Sequence, residues 1–135
     1  MRLVRSERLP KVPASARLAR RVVRDQLGSR LDDGTLASVR LLVSELVTNA
    51  VEHVGEDGDL ELVLGVTDTG IRVEVRDPGP GFEATAARPA APDASGWGLH
   101  FVSMLADRWA ADREGVARVW FEIDGLPPGE TRPVR

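Results

Sequence analysis

The sequence predicts an α+β fold: a two-layer α/β sandwich with helices on one face of a mostly antiparallel mixed sheet. Three observations lead there. Residues 16–27 and 36–50 carry apolar side chains at helical spacing. Residues 60–66, 71–75 and 117–123 alternate apolar and polar, the signature of half-buried strands. Short polar or glycine-containing stretches separate these segments, and 135 residues suffice for one core without staples. We read residues 1–125 as one domain and the proline-bearing tail 126–135 as disordered.

The elements follow in order. Residues 2–9 read as a short strand with a poor pattern, and Lys11-Val12-Pro13-Ala14-Ser15 as a connection in which Ser15 is a plausible N-cap. Ala16, Ala19, Val23 and Leu27 form one helical stripe, Gly28 supplies a stop, and Arg17, Arg20, Arg21 and Arg24 occupy the opposite face. Asp32-Asp33-Gly34-Thr35 starts the next helix, whose stripe is Leu36, Val39, Val43, Leu46 and Ala50, widened by Leu42 and Val47. That helix should end near Gly55, and Glu56-Asp57-Gly58-Asp59 is a polar turn. Leu60, Leu62, Leu64 and Val66 share a strand face, as do Ile71, Val73 and Val75, with Asp68-Thr69-Gly70 as the hairpin loop. Two prolines and two glycines make DPGPGF (77–82) neither strand nor helix, and residues 83–95 read as a mobile loop. A helix fits from about Leu99 to Ala106 or slightly beyond, then a last strand from Val116 to Ile123 with Ala117, Val119, Phe121 and Ile123 inward.

Composition narrows the chemistry. There are no cysteines, which removes disulfides, thiolate metal sites and cysteine nucleophiles. No apolar run approaches the ~18 residues of a membrane span, and MRLVRSERLPK lacks the apolar centre of a signal peptide. A soluble cytoplasmic protein without membrane contact is the expectation. Residues 1–30 hold nine basic side chains against Glu7 and Asp25, a surplus of seven, so the overall charge of −3 leaves the remainder at −10. Lys11 is the only lysine, and the Gly-Lys-Ser/Thr of a Walker-type phosphate loop does not occur.

Within ELVTNAVEH (45–53), Glu45, Asn49 and His53 follow one another at intervals of four. Four residues advance a helix by about 40°, so the three form a slanted row along the rim of the apolar arc. A rim carboxylate suits a general base, and an amide oxygen one turn away suits a hard cation such as magnesium. The same spacing also fits ordinary boundary residues. In DPGPGF, Gly79 and Gly81 would let the backbone pass close to a flat ligand, with Asp77 offering an acceptor to an exocyclic amine. The string from Gly79 to Ala84 formally fits a dinucleotide fingerprint, but Pro80 and the missing helix reject it. Gly96-Trp97-Gly98-Leu99 directly precedes a helix, where backbone N–H groups favour phosphate.

The order of these pieces resembles the Bergerat-type ATPases, the GHKL superfamily of gyrase B subunits, histidine kinases and related proteins. ELVTNAVEH looks like its N box, DPGPGF its first glycine box and GWGLHFV (96–102) its second. With Leu105-Ala106-Asp107-Arg108-Trp109 and Val119-Trp120-Phe121-Glu122, the sequence is most similar to the small single-domain anti-sigma-factor serine/threonine kinases, over roughly residues 14–123. The resemblance implies a histidine-kinase-like ATPase fold with ATP and magnesium (Mg2+) as cofactors. It makes Glu45 the catalytic base, Asn49 the magnesium ligand and Asp77 the acceptor of the adenine amine. Gly79 and Gly81, with Phe82 in the same box, would give the nucleotide room, and Gly96, Trp97, Gly98 and Leu99 would surround the phosphates. It leaves His53 open between a site role and packing. The implied partners are a sigma factor and an anti-sigma-factor antagonist, which the arginine face of the first helix would contact; an ordinary solvated face fits that run equally. Direct binding of nucleic acid is disfavoured, because no DNA-reading motif accompanies that charge. A nucleotide-gated binding module without transfer is the alternative. Trp120, between Arg118 and Glu122 on the outer face of the last strand, fits a homodimer surface or simple exposure.

The sequence departs from the pattern in three places. The family's Gly-Thr before the last strand is here Gly115-Val116-Ala117, Trp97 stands where small or basic residues are common, and Arg88 is the only basic residue of the loop 83–95. Two readings of Trp97 fit equally: stacking on the ligand, or shielding the base of the loop. The missing threonine implies a weaker grip on adenine. Val116→Thr is expected to tighten ATP binding in a calorimetric titration, and an unchanged affinity would count against that account.

Overall fold

The alternation of the central strands sets the architecture. A computed structural model describes residues 1–53, 58–77, 101–112 and 117–125, and of residues 53, 112 and 117 the backbone alone. The chain runs β1 (Arg2–Pro10), α1 (Ser15–Leu27), α2 (Asp33–His53), β2 (Asp59–Val66), β3 (Gly70–Asp77), β4 (Arg108–Asp112) and β5 (Ala117–Asp124). The strands form one sheet in the order β1-β2-β3-β5-β4, and every described pairing is antiparallel.

Register places apolar residues in cross-strand rows. Leu64 lies opposite Val73, which lies opposite Phe121, and Leu62, Val75 and Val119 make the next row. Leu60, Leu62, Leu64, Ile71, Val73 and Phe121 are fully buried. From the helical side they meet Ala19, Val23 and Leu27 of α1 and Val39, Leu42, Val43, Leu46 and Val47 of α2. These are the stripes expected from periodicity, and their burial supplies most of the folding drive.

Local chemistry trims the elements. Ser15 is not the N-cap: Ala14 holds that position, and the Ser15 hydroxyl donates instead to the Pro10 carbonyl, tying α1 back to β1. Asp32 does cap α2, accepting the Thr35 N–H at 2.7 Å, and this hydrogen bond holds its carboxyl below the usual range. Gly58, with φ +87°, turns the chain into β2. At Gly70 a Cβ would lie 2.0 Å from the Ile123 carbonyl oxygen, so only glycine lets β3 approach β5 there.

Two strands differ from expectation. β1 extends to Pro10 as an edge strand in which only Leu9 is fully buried, which explains its weak alternation. β4 adds a strand over residues expected at or beyond the end of a helix; helix covers 101–105 and the chain then turns at Asp107. The Asp107 N–H donates to the Glu122 carbonyl at 2.9 Å, and its carboxylate accepts the Asp124 N–H at 2.7 Å. The last strand is otherwise as read, with Phe121 and Ile123 buried. The proposed tail, 126–135, lies outside the described residues.

The sheet face turned away from α1 and α2 carries charge. Glu74, only 3% exposed, takes Arg72 at 3.3 Å, Arg76, and Arg118 at 3.8 Å. Arg76 and Arg118 sit directly opposite in register, so Glu74 relieves a like-charge pair. Arg72 also reaches Glu122 at 3.0 Å and lies over the Trp120 ring, 3.9 Å from its centroid. Arg108 continues the network to Glu122 at 2.8 Å and to Asp124.

Burial would raise the Glu122 carboxyl, but hydrogen bonds from Arg108 and Arg72 outweigh it and hold Glu122 below its ordinary 4.5. Asp124 is lowered from 3.8 by hydrogen bonds from Arg108 and Thr69. Both carboxylates therefore stabilise the fold above their ordinary values, and lose that contribution as pH falls through the lowered folded values. Arg108→Ala should cost stability at neutral pH, and the gap from wild type should close on acidification below 4.5. Urea unfolding of both proteins across that range measures it.

Candidate functional site

Helix α2 presents the polar row where the wheel puts it. Leu42, Val43, Leu46 and Val47 are buried, Leu41, Thr48 and Glu52 are exposed, and Glu45 and Asn49 fall between. The two side chains therefore stand one turn apart on the rim of the layer that packs against β3 and β5. Ser44, the residue before Glu45, accepts an N–H from Arg20 at 2.6 Å. Arg20 is thus half-buried and turned to α2, while Arg17, Arg21 and Arg24 remain exposed and form the basic face. His53 ends α2, and the structure describes its backbone alone.

Asp77 is the last residue of β3, paired in register with Ala117 of β5, and is 3% exposed. Strand alternation carries it to a buried strand end, as the sequence suggests. The sequence does not suggest its neighbour. The Lys11 ammonium lies 2.7 Å from Asp77 Oδ2, and the Lys11 side chain is also 3% exposed. The connection that holds Lys11 is fastened by Val12 N–H to Pro10 at 2.9 Å and by Ser15 N–H to Val12 at 2.9 Å. Charges are rarely buried this far unless paired, so the contact stands out from the exposed ion pairs elsewhere. Its only signal in the sequence is that the chain's single lysine falls between two elements.

The remaining sequence-predicted positions, Gly79, Gly81, Phe82, Gly96, Trp97, Gly98 and Leu99, lie outside the described residues, as do Arg88 and Val116. Past the second glycine pair, residues 101–105 are helical and Val102 is fully buried in the core. Among the described residues no group of three or more His, Cys, Asp or Glu side chains converges to hold a metal. A hard cation at α2 would take the Asn49 amide oxygen and draw its other ligands from the phosphates it accompanies, the usual manner of magnesium. Among the described residues no helix is long and apolar enough to cross a membrane. A groove beside the β2–β3 turn, lined by Arg2, Thr67, Asp68, Arg72 and Arg108 among others, includes none of the predicted site residues.

Residues 9–121 match the family described as a histidine kinase-like ATPase domain. Among solved structures, the chain is similar to the crystal structure of RsbU and RsbW domains from Mycobacterium tuberculosis, with a TM-score of 0.68 and 22% identity. That alignment covers 97% of this chain and 33% of the other, so the chain spans about a third of the matched structure. None of the curated proteins matches.

The buried pair makes a prediction about stability. Asp77→Ala removes the partner of a buried ammonium and should lower stability, by no more than the cost of turning Lys11 out to water. Replacing both partners, as Lys11→Met with Asp77→Leu, should recover most of that loss in urea unfolding. Equal losses in single and double variants would mean that the pair is not the source.

Proposed function

We propose, from the premise that this chain belongs to the histidine kinase-like ATPase domain family, that it binds ATP with magnesium and phosphorylates a serine or threonine of a protein partner. The observation that carries the reading is the half-buried row of Glu45 and Asn49 on α2, which packs against the strand that ends at the buried Asp77. An amphipathic helix needs no carboxylate and amide on its buried margin for packing. A phosphoryl-transfer site needs a proton acceptor and a cation ligand close together.

In this reading Asp77 accepts a hydrogen bond from the adenine amine and fixes the base. Gly79 and Gly81 keep side chains away from its plane, beside Phe82. Backbone N–H groups around Gly96, Trp97, Gly98 and Leu99 face the phosphates. Asn49 would hold a magnesium ion through its amide oxygen, and that ion would supply charge neutralisation for the phosphates. Glu45 takes the proton of the acceptor hydroxyl as its oxygen bonds to the γ-phosphorus, while the bond to the bridging oxygen breaks and ADP departs. The same site can direct water instead of a hydroxyl.

The resemblance read from the sequence names the partners as an anti-sigma-factor antagonist, the phosphate acceptor, and a sigma factor, which the protein sequesters. The exposed guanidinium groups of Arg17, Arg21 and Arg24 fit an acidic partner surface. A second reading, a nucleotide-gated binding module with little transfer, is favoured by Val116 standing in the threonine position.

Calorimetry with ATP, with and without magnesium, combined with a transfer assay on a candidate antagonist, separates the two. Asn49→Ala should weaken magnesium-dependent binding. Glu45→Ala should keep ATP binding and lower transfer by roughly 10²–10⁴-fold, the scale of general-base loss. Transfer that ignores Glu45→Ala would leave the binding module standing, and ATP binding that ignores Asn49→Ala would dismiss Asn49 as the ligand.

A further inference from the structure

The carboxylate assigned to the base already has a cation on it. The Lys11 ammonium sits 2.7 Å from Asp77 Oδ2, with both side chains 3% exposed. An ammonium N–H donates to a carboxylate as an aromatic amine does, with a full charge behind it. In the enclosed space at the end of β3 an ammonium against Oδ2 and an incoming amine compete for the same side of the carboxylate. We propose that Lys11 is an internal occupant of the base site, held where the exocyclic amine of an adenine nucleotide would bind, and that its displacement sets nucleotide affinity. The inference rests on reading Asp77 as the base acceptor.

Three features support displacement over a fixed structural pair. The first is the route. Lys11 opens the connection between β1 and α1, and the next three residues, Val12, Pro13 and Ala14, are exposed. Its flexible four-carbon stem can carry the ammonium to water by rotamer change. The backbone need not follow, because the Ser15 hydroxyl and the Val12 N–H both anchor at the Pro10 carbonyl.

The second is energy. A buried ion pair sits close to balance between Coulombic gain and desolvation cost. A hydrated lysine, with the carboxylate bonded to a ligand amine, is therefore a comparable alternative. The third is residue type. Every other side-chain cation apart from histidine is arginine, 17 of the 18 lysines and arginines. A guanidinium is a planar fork that favours two acceptor oxygens, whereas an ammonium is a compact point charge that can approach a single oxygen such as Oδ2.

The consequence is quantitative. Apparent affinity equals intrinsic affinity scaled by the fraction of molecules whose lysine has swung out. A partner that drew the β1–α1 connection outward would raise that fraction and couple its own binding to that of nucleotide.

Because Lys11 is the only lysine, acylation of its amine reports on one side chain. The full chain is acylated with and without ATP and magnesium, and modification of the Lys11 peptide is followed by mass. In parallel, ATP is titrated calorimetrically into wild type and Lys11→Met. ATP should accelerate acylation of Lys11, and Lys11→Met should bind ATP about 10-fold more tightly, as expected when the competent fraction is about a tenth. ATP binding to wild type with no gain in Lys11 reactivity would overturn the proposal while leaving Asp77 as base acceptor; the pair would then be a latch. An unchanged or weaker affinity in a folded Lys11→Met would do the same. Absence of ATP binding to both proteins would sink the reading of Asp77 itself, and the inference with it. Should Lys11→Met fail to fold, the acylation comparison on wild type alone decides.

Discussion

The one-sidedness of the sheet is the constraint from which the rest of the molecule follows. Strands β2, β3 and β5 turn leucine, valine, isoleucine and phenylalanine to one face, and arginine and glutamate to the other. Two helices with apolar stripes have one place to bury them, and α1 and α2 take it. The opposite face has no helix available to cover it among the described residues, so it needs its own polar closure. Glu74 supplies it by accepting three arginines from a nearly buried position. With the middle of the helical layer committed to packing, polar chemistry is left to its boundary. Glu45 and Asn49 lie at that boundary.

Ion pairs in this protein fall into two kinds with different consequences. On the charged sheet face every described pair has at least one partner that is 19% or more exposed, and in Arg108 with Asp124 both are. Solvent screens such pairs, so each contributes little and weakens with salt. The Lys11–Asp77 pair is enclosed on both sides and barely screened. Its net contribution to stability is small, because desolvation offsets most of the Coulombic gain. Such a contact makes a poor support for a fold and a good determinant of what a carboxylate can bind. It lies at the end of a strand whose register is fixed along its length by β2 and β5, so the carboxylate is rigidly positioned whatever occupies it.

Legibility in the sequence tracked how local the cause was. The helices and strands β2, β3 and β5 were readable because each buries one face, and burial on one face leaves a period of 3.6 or 2. Strand β1 left a blurred trace because an edge strand is buried mainly near Leu9. Strand β4 left none: Arg108, Trp109, Ala110 and Ala111 show no alternation, and pairing with β5 creates the strand. The rim position of Glu45 and Asn49 was visible on a helical wheel, since a wheel needs only the spacing. Asp77 was readable as a strand end, but its contact with Lys11 was not. That contact joins distant parts of the chain, and neither residue carries a local pattern that names the other. The hydroxyl of Ser15 misled for a related reason: a serine before a helix resembles a cap, and only the tertiary position of Pro10 decides otherwise.

Among the described residues, the order β1-β2-β3-β5-β4 leaves β1 and β4 with one strand neighbour each. An open rim of backbone amides and carbonyls is a template for polymerisation, since a further copy of the chain can zip onto it. Here one rim carries exposed Arg2, Arg5 and Arg8 and ends at Pro10, which has no N–H to offer. The other rim is β4, only five residues long. Exposed arginines and a terminal proline along β1, and the shortness of β4, disfavour edge-to-edge pairing. The arginine-rich start of the chain, conspicuous first as a charge asymmetry, thus also places charge on an edge strand, where backbone groups would otherwise invite a further strand.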